Sequence, residues 1–229
     1  MIQNKKILAI IPARKGSKRL KNKNIKNFCG KPLIQWTIDQ AINCSLIDKV
    51  FVSTDSEIIK NISIKTGAEV PFLRPDNLSQ DNSSTNECII HFLENIKEHY
   101  DIIVLLQTTS PLRQSFHISE SIQKFISTDN IESLVSVKKK SNPPANASKS
   151  IYDLYNSATN SLNEIKMPKY FSPNGAIYIS TSDIFLINKT FYTKKTYLYA
   201  MDDKYSVDID YKDDFLYAQR MFKKNITFK

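Results

Sequence analysis

Glycine is scarce in this sequence, which has only four among 229 residues, at positions 16, 30, 67 and 175. They lie too far apart to form the G-x-G-x-x-G fingerprint of dinucleotide-binding proteins. A P-loop around Gly30 and Lys31 is excluded as well, because Ile25 stands where it needs glycine and Pro32 where it needs Ser or Thr. If the chain binds a phosphorylated ligand, it does so with a different kind of loop.

Cysteine and histidine are equally rare, with three of each. The cysteines, Cys29, Cys44 and Cys88, show no C-x-x-C spacing, and the histidines do not form the H-E-x-x-H pattern of a zinc site. We therefore expect any bound metal to be a hard cation held by oxygen atoms. Cysteines without an evident pairing also indicate a reducing compartment.

Long apolar stretches are missing too. The chain has no run of about 18 apolar residues and no basic-then-apolar leader at its N-terminus, so we expect neither a membrane association nor secretion. A hydrophobic content of 41% and a charged content of 24% are typical of a soluble globular protein. These features predict a cytoplasmic protein whose single domain spans residues 1–229 and buries a sizeable core.

Acidic residues are absent from the first part of the chain, since none precedes Asp39, whereas Lys and Arg are frequent there. The densest basic segment, Arg14 to Lys23, follows residues 5–12, whose nearly unbroken apolar run predicts a buried strand. Gly16 lies inside this segment and would allow a sharp turn or a close approach to a ligand. A solvated basic surface is the simpler interpretation. However, a loop fixed between a strand and a helix beginning near Pro32 can hold several cations in place, as a polyanion site requires.

The net charge of +9 suggests a nucleic-acid-binding protein as an alternative. The distribution of the charge argues against it, because the basic excess lies in one loop while six aspartates crowd residues 202–214. Modules that bind RNA or DNA usually combine basic residues with exposed aromatic side chains on one platform. We therefore expect a small nucleotide, and not a nucleic acid, as the partner.

Apolar patterns typical of strands and of amphipathic helices alternate along the chain. Strands are predicted at residues 5–12, 48–55, 70–73, 101–107, 133–137 and 174–179, and helices at residues 32–44, 56–66, 84–97, 116–126 and 211–223. This alternation predicts an α/β fold with a mostly parallel, Rossmann-like sheet covered by helices on both faces. Ligands of such sheets bind beyond the carboxyl ends of the strands, where the basic loop would meet the polar residues 53–55 and 107–111.

Residues 206–210 alternate between apolar and acidic side chains, which a strand would arrange with Asp208 and Asp210 on one face. A solvated strand would explain this pair. Alternatively, the two carboxylates hold a divalent cation, and oxygen ligands without nearby His or Cys favour Mg²⁺, which commonly completes its shell with water and substrate phosphate. The second interpretation predicts Mg²⁺ next to the phosphates held by the basic loop.

Taken in order, these segments resemble those of the acylneuraminate cytidylyltransferases, which activate sialic-acid-like sugars as CMP conjugates. The segments that carry the resemblance are Ile11 to Arg19 with Lys23-Asn24, Val52 to Asp55, Leu73 to Pro75, Leu105 to Arg113, Asn174 to Tyr178 and Asp208 to Asp210. The resemblance implies a three-layer α/β nucleotidyltransferase fold and a homodimer, with residues 142–171 as a small dimerisation extension. It also implies that CTP reacts with a nonulosonic sugar acid to give a CMP-sugar and pyrophosphate, for cell-surface glycan synthesis.

The same resemblance assigns roles to individual residues. It implies that CTP is bound by Ala13, Arg14, Ser17, Lys18, Lys23, Asn24, Arg74, Asp81, Ser84 and Thr85. The phosphates would be contacted by Arg14, Ser17, Lys18 and Lys23. Asn24 would lie near the ribose, and Arg74 with the turn at residues 81–85 would recognise cytosine. It implies sugar-binding roles for Gln107, Thr108, Ser110 and Asn174. Asp208 and Asp210 would hold Mg²⁺, and the implied catalytic residues are Arg14, Lys23, Asp208 and Asp210.

The chain departs from these relatives in two places. Lys21-Asn22 stand where relatives often carry Pro-Gly, and Glu164 and Ser172 stand where some sialic-acid enzymes carry arginine. The second difference predicts a differently decorated nonulosonic acid, such as a dideoxy-diamino sugar of the legionaminic or pseudaminic type. The alternatives are a cytidylyltransferase for an eight-carbon keto-sugar acid, a glycosyltransferase whose aspartates serve to consume a nucleotide sugar, and a non-catalytic polyanion- or RNA-binding protein.

Overall fold

The computed structural model describes residues 5–140 and 170–227 of the chain. The strands in this part of the chain are β1 Ile7–Pro12, β2 Asn27–Phe28, β3 Lys31–Pro32, β4 Lys49–Ser53, β5 Ile102–Leu106, β6 Ser133–Lys140, β7 Tyr170–Thr181 and β8 Thr196–Ala200. The α-helices are α1 Leu33–Ile42, α2 Glu57–Lys65, α3 Thr85–Asn95, α4 Ser115–Ser127, α5 Ser182–Asn188 and α6 Lys212–Thr227. Short 3₁₀ turns lie at Lys23–Ile25, Asp76–Leu78 and Asp203–Tyr205.

The main sheet has six strands in the order β4-β1-β5-β7-β6-β8. β1 pairs in parallel with β4 and β5, and β6 pairs in parallel with β8, whereas β7 runs antiparallel to both β5 and β6. β2 and β3 form a separate antiparallel hairpin. The predicted α/β fold with a mostly parallel sheet is therefore confirmed, with β7 as the strand of opposite direction.

Strand β1 is buried on both faces of the sheet. Ile7, Ala9 and Ile11 pack with side chains of α1, α2 and α4, while Leu8 and Ile10 pack with side chains of α3 and α5. None of these five residues is exposed to solvent. Burial on both faces explains why their apolar run is continuous and does not alternate with polar residues. Helices on the two faces of the sheet give the three layers that the sequence predicts.

A capping box fixes the beginning of α3 and, with it, the turn before that helix. The Ser84 hydroxyl accepts a hydrogen bond from the Glu87 backbone N–H at 3.1 Å, and the Glu87 carboxylate accepts one from the Ser84 N–H at 2.9 Å. These bonds satisfy two donors that a helix N-terminus would otherwise leave free. The capping box thus fixes where the turn at residues 81–84 ends and α3 begins.

Two segments predicted as strands do not join a sheet. Residues 70–73 form no strand, because Glu69 makes only an isolated bridge to Phe51 and Pro71 has no N–H for a ladder. Residues 206–210 belong to no strand, but Val207 and Ile209 are buried and Asp208 is exposed, so the predicted alternation of apolar and acidic side chains is kept. The hairpin β2–β3, α5 and β8 are additional elements that the sequence patterns did not predict.

Of the expected extension, residues 142–169 lie outside the described residues, and Tyr170 and Phe171 belong to β7. Within residues 5–140 and 170–227, none of the helices is both long and apolar enough to cross a membrane.

Candidate active site

Three loops meet at the carboxyl edge of the sheet, after β1, β4 and β5. The loop after β1 is fixed to the end of β4, because the Ala13 N–H donates to the Ser53 carbonyl at 2.9 Å and the Lys15 N–H donates to the Asp55 carboxylate at 2.7 Å. A cleft opens between these loops. Its lining residues are Pro12, Arg14, Ser17, Lys23, Asn24, Arg74, Asp81, Ser83, Ser84, Thr85, Gln107, Thr108 and Thr109.

A second, adjoining cleft lies on the basic loop and contains the predicted phosphate-binding residues. Its lining residues are Arg14, Ser17, Lys18, Arg19, Leu20, Lys23, Asp81 and Asp210. Arg14 forms an ion pair of 2.9 Å with Asp81, and Lys18 also pairs with Asp81. The hydrogen bond from Lys18 is the main reason why the pKa of Asp81 lies below its ordinary value. The loop therefore directs several cations into one concave surface, as a phosphate site requires.

The left-handed backbone position in the basic loop is Asn22 and not Gly16. Asn22 adopts a left-handed backbone with φ of 57°, whereas Gly16 has no positive φ and a Cβ added to it would meet nothing within 4 Å. Asparagine tolerates the left-handed region better than most residues, which explains how Lys21-Asn22 can replace the Pro-Gly of relatives. Gly16 does not adopt the left-handed backbone that would require glycine at this position.

Lys23 lies where the basic loop meets the acidic segment. Its ammonium donates to the Ile209 carbonyl at 2.7 Å and lies 3.6 Å from the Asp210 carboxylate. The side chain is only 13% exposed, and burial lowers its pKa, an effect that Asp210 and Asp208 oppose. Asp210 also accepts a hydrogen bond of 3.1 Å from Arg19. The predicted phosphate and metal residues thus occupy one continuous surface.

A buried hydrogen-bond chain joins the basic loop to the loop after β5. The Thr108 hydroxyl donates to the Asn24 side-chain oxygen at 2.7 Å, and the Asn24 amide donates to the Arg14 carbonyl at 2.9 Å. Both Asn24 and Thr108 are nearly inaccessible to solvent. Displacement of one loop would therefore disturb the other.

The predicted base-recognition residues surround the opposite wall of the cleft. Arg74 is buried and donates to the Ser53 carbonyl at 2.6 Å and to the Leu78 carbonyl at 3.4 Å, so part of its guanidinium holds the wall together. Its Nε has no hydrogen-bond partner among the described residues. Ser84 and Thr85 line the cleft at the beginning of α3.

Asp208 lies at the junction of three parts of the site. A Cβ added to Gly175 would lie 3.0 Å from the Gln107 side-chain oxygen and 3.6 Å from the Asp208 carboxyl, and Gly175 has a φ of 76°. Glycine at this position thus permits both the backbone conformation and the close approach. Asp208 is accessible to solvent, but surrounding protein atoms displace part of its water, and this burial raises the pKa of its carboxyl. Asp210 raises it further, while a hydrogen bond from Thr109 opposes the shift.

Ser110 and Asn174, two of the predicted sugar-binding residues, lie beneath the cleft surface. Ser110 has no solvent exposure. The side-chain oxygen of Asn174 accepts hydrogen bonds from the Ser136 hydroxyl and the Ala176 N–H, and its amide donates to the Ser206 hydroxyl at 3.0 Å. Because these bonds saturate the Asn174 amide, the structure places this residue as a support for the site floor and not on its surface. Gln107 and Thr108 do line the cleft.

Several residues near Asp208 escaped the sequence interpretation. Lys138 lies close enough for its charge to oppose the raised pKa of the Asp208 carboxyl. The Tyr178 hydroxyl bonds to that of Tyr192, and burial is the main cause of the raised pKa of Tyr178. Thr109 and Tyr178 lie inside segments that carry the family resemblance, which is a signal that could have identified them. Lys138 had no such signal, because the sequence of a run of lysines does not indicate which of them is directed toward the site.

The chemistry of the two aspartates fits a magnesium ion bound together with a phosphorylated substrate. Their carboxylates interact unfavourably with each other, and a divalent cation would relieve that repulsion. Mg²⁺ commonly takes one or two carboxylates and fills its remaining positions with water and phosphate oxygens. Among the described residues, no group of three or more His, Cys, Asp or Glu side chains could hold a metal without such a substrate.

The fold has three layers, a cationic loop after the first strand of its sheet, and a pair of aspartates facing that loop. This is the arrangement expected of a nucleotidyltransferase. A sequence profile of the cytidylyltransferase family matches residues 8–227. The chain belongs to this family.

Curated relatives agree with the profile. An N-acylneuraminate cytidylyltransferase of Streptococcus agalactiae is 38% identical over 93% of this chain and 52% of its own length. The chain thus spans about half the length of this relative, and the same holds for a similar enzyme of Escherichia coli. A CMP-N,N'-diacetyllegionaminic acid synthase of Legionella pneumophila is 34% identical over 96% of the chain and 97% of the relative. A pseudaminic acid cytidylyltransferase of Campylobacter jejuni is 30% identical over 96% and 97%, respectively.

Solved structures support the fold. A CMP:2-keto-3-deoxy-manno-octonic acid synthetase complexed with CTP superposes with a TM-score of 0.72, at 15% identity, over 96% of this chain and 99% of that one. At this identity the similarity establishes the fold and leaves the substrate open.

Proposed function

We propose that this chain is a cytidylyltransferase that joins CMP to a nonulosonic, sialic-acid-like sugar acid and releases pyrophosphate. The observation that carries the proposal is the position of Lys23, which touches the acidic segment while its own loop directs Arg14 and Lys18 into the neighbouring cleft. This arrangement suits a triphosphate, because the negative charge of its phosphates would lie against several fixed cations.

In the proposed reaction, the anomeric hydroxyl of the sugar acid attacks the α-phosphorus of CTP. A bond forms between this oxygen and phosphorus, the bond from the α-phosphorus to the bridging oxygen breaks, and pyrophosphate leaves. Arg14, Lys18 and Lys23 would neutralise the charge that builds up on the phosphate oxygens, without the reorganisation that water would need. The hydroxyl proton would pass to one of the two aspartates, Asp208 or Asp210.

Mg²⁺ belongs to the proposal, with Asp208 and Asp210 as the residues that would hold it. When bound, it would supply additional positive charge to the phosphates. Gln107 and the side chains around Asp208 would position the sugar, and the wall at Arg74, Ser84 and Thr85 would select the base.

Three relatives named for N-acylneuraminate, legionaminic and pseudaminic acids support a nonulosonic substrate. We further propose that the product serves cell-surface glycan synthesis, that the protein is a cytoplasmic homodimer and that residues 142–171 contribute to the dimer contact. Sedimentation of the purified chain would test whether it is a homodimer. Sedimentation of a variant that lacks residues 145–165 would test whether this segment contributes to the dimer contact.

The decisive experiment incubates the protein with CTP, Mg²⁺ and a panel of eight- and nine-carbon keto-sugar acids, and measures pyrophosphate and the CMP-sugar. We expect both products with at least one nine-carbon acid, with ATP, GTP and UTP as nucleotide controls. Activity confined to an eight-carbon acid would establish the alternative substrate class. Tight RNA binding without pyrophosphate release would contradict the enzyme assignment altogether.

A further inference from the structure

Arg113 is a fully buried arginine without a carboxylate partner. It lies just before α4 and has no solvent exposure. Within residues 5–140 and 170–227, no acidic side chain lies within salt-bridge distance of its guanidinium. Burial lowers the pKa of Arg113 to about 9. Keeping a cation in such a place costs stability, and an apolar side chain of similar volume often fills it better.

One guanidinium nitrogen of Arg113 donates to backbone carbonyls at the site, whereas its Nε has no hydrogen-bond partner among the described residues. Its Nη1 donates to the Ala176 carbonyl at 2.7 Å and to the Gln107 carbonyl at 3.3 Å. The last pair of the β5–β7 ladder is Leu106 with Ile177. Gln107 and Ala176 are therefore the next residues on the two strands, where the ladder ends and the site begins.

Gln40 completes this arrangement from helix α1. Its side-chain oxygen accepts a hydrogen bond from Arg113 Nη2 at 3.1 Å, and its amide donates to the Pro111 carbonyl at 2.8 Å. Arg113 is thus held between the helix layer and the ends of the two strands. The loop after β5 is fixed at Gln107 and Pro111 by one buried cluster.

We propose that Arg113 is a positioning residue for the sugar half of the active site, an inference that rests on the proposed cytidylyltransferase function. It sets the separation between the Gln107 and Ala176 backbones. That separation decides where the Gln107 side chain lies relative to Gly175 and Asp208, which already approach one another closely. A shift of this kind lowers the rate without removing any group that touches substrate.

The proposal predicts unequal effects on the two substrates. The CTP side of the site is built mainly from the basic loop and the wall at residues 74–85, neither of which bonds to Arg113. The hydrogen bond from Thr108 to Asn24 links the basic loop to the loop that Arg113 fixes, so the effect on CTP should be indirect and smaller. In Arg113→Met we expect kcat/KM for the sugar acid to fall at least about tenfold. The Kd for CTP, measured by calorimetry without sugar, should rise by about threefold at most. Arg113→Lys should recover part of the loss, since a lysine ammonium can donate to the carbonyls that Nη1 reaches but lacks the second nitrogen that bonds Gln40.

Amide hydrogen exchange gives a readout independent of catalysis. Exchange at residues 107–113 and 174–177 should rise in Arg113→Met, while the midpoint of chemical unfolding shows whether the whole domain has changed. Arg220→Met, an exposed arginine on α6, is the matched control and should alter neither readout. If Arg113→Met does not fold, Gln40→Leu removes one partner of the cluster and should produce the same pattern to a smaller degree.

Equal losses in CTP affinity and sugar kcat/KM would overturn the proposal, because a general loss of folding affects both. Unchanged exchange at both segments would overturn it as well. If the unmodified protein makes no CMP-sugar, the proposed function fails, and the exchange experiment still decides whether Arg113 holds the strand ends together.

Discussion

Lys23 is the most buried of the basic-loop cations that contact the acidic segment, which Arg19 also reaches. Its ammonium contacts the Ile209 backbone and approaches Asp210, and it lies 186 residues away from Ile209 in the sequence. Its burial lowers the pKa of the side chain, while the two aspartates favour its charged form. A cation held in this way can meet phosphate oxygens at the boundary between nucleotide and sugar.

The two aspartates should be essential individually. We predict that Asp208→Asn and Asp210→Asn each lower kcat by at least about a hundredfold, as expected when a group that stabilises the transition state is lost. Asp213→Asn, on the exposed first turn of α6, should leave turnover almost unchanged. Steady-state pyrophosphate release, with circular dichroism as a folding check, provides the measurement. Near-normal turnover in both site variants would end the metal assignment.

The cations of the basic loop should matter more than cations outside it. Arg14→Ala and Lys23→Ala should each weaken CTP binding or transition-state stabilisation by about 1.5–3 kcal/mol, the range for hydrogen bonds to charged groups. Lys5→Ala, at an exposed position before β1, should have little effect. Titration of each variant with CTP tests this. Small and equal effects at the three positions would favour a solvated basic surface.

At the scale of secondary-structure elements, the beginning of α4 carries a buried histidine. His117 Nδ1 accepts a hydrogen bond of 3.0 Å from the Gln114 N–H, and its ring packs against Tyr205 with the ring centroids 4.6 Å apart. Burial lowers the pKa of His117 to about 4. The neutral ring therefore serves as the acceptor of the helix cap.

This histidine should make the fold sensitive to acid. Its folded pKa lies below the unfolded value, so between about pH 6.5 and pH 4 the unfolded chain binds more protons and stability falls as pH falls. For His117 alone we expect a loss on the order of 1–2 kcal/mol in the free energy of unfolding between pH 7 and pH 5. His117→Gln keeps an acceptor for the cap and should remove this part of the pH dependence. Urea unfolding of both proteins at the two pH values measures the difference. An equal loss of unfolding free energy in the two proteins between pH 7 and pH 5 would contradict the prediction.

At the scale of the whole molecule, the sugar preference depends on segments distant in sequence. Ser172 on β7 lies opposite Lys138 on β6, and Lys138 lies near Asp208. Glu164, the second position where some sialic-acid enzymes carry arginine, lies outside the described residues. The Ser172 hydroxyl and the Glu164 carboxylate cannot make the contacts that arginine makes with a substrate. A site that bonds other substrate groups should therefore discriminate strongly between sugars.

We therefore predict a higher kcat/KM for a dideoxy-diamino nonulosonate than for N-acetylneuraminate. Both sugars should be assayed with one enzyme preparation at saturating CTP. Lys138→Met should reduce activity with either sugar if this lysine helps to hold the shared carboxylate. A clear preference of the unmodified protein for N-acetylneuraminate would show that the interpretation of positions 164 and 172 is wrong.

Most of the sheet was predictable because its strands carry local signals. β1 and β5 are continuous apolar runs, and the helices between them show amphipathic periodicity, so their positions follow from neighbouring residues. The strand prediction at residues 70–73 was wrong, because a strand requires hydrogen-bonded pairing with a neighbouring strand and not only apolar side chains. β8, with the sequence TYLYA, was missed because this half-buried edge strand has only a weak apolar pattern.

The sequence alone determined the basic loop, the acidic pair, and the sheet edge that the basic loop shares with residues 53–55 and 107–111, because charge runs and the order of strands and helices are properties of consecutive residues. Only the tertiary structure decided which distant groups meet. It placed Asp81 on Arg14, enclosed Asn174 in hydrogen bonds beneath the floor and set Arg113 between the ends of β5 and β7. Such contacts join residues tens of positions apart, and they depend on the direction of β7 and the burial of each side chain, which no local pattern specifies.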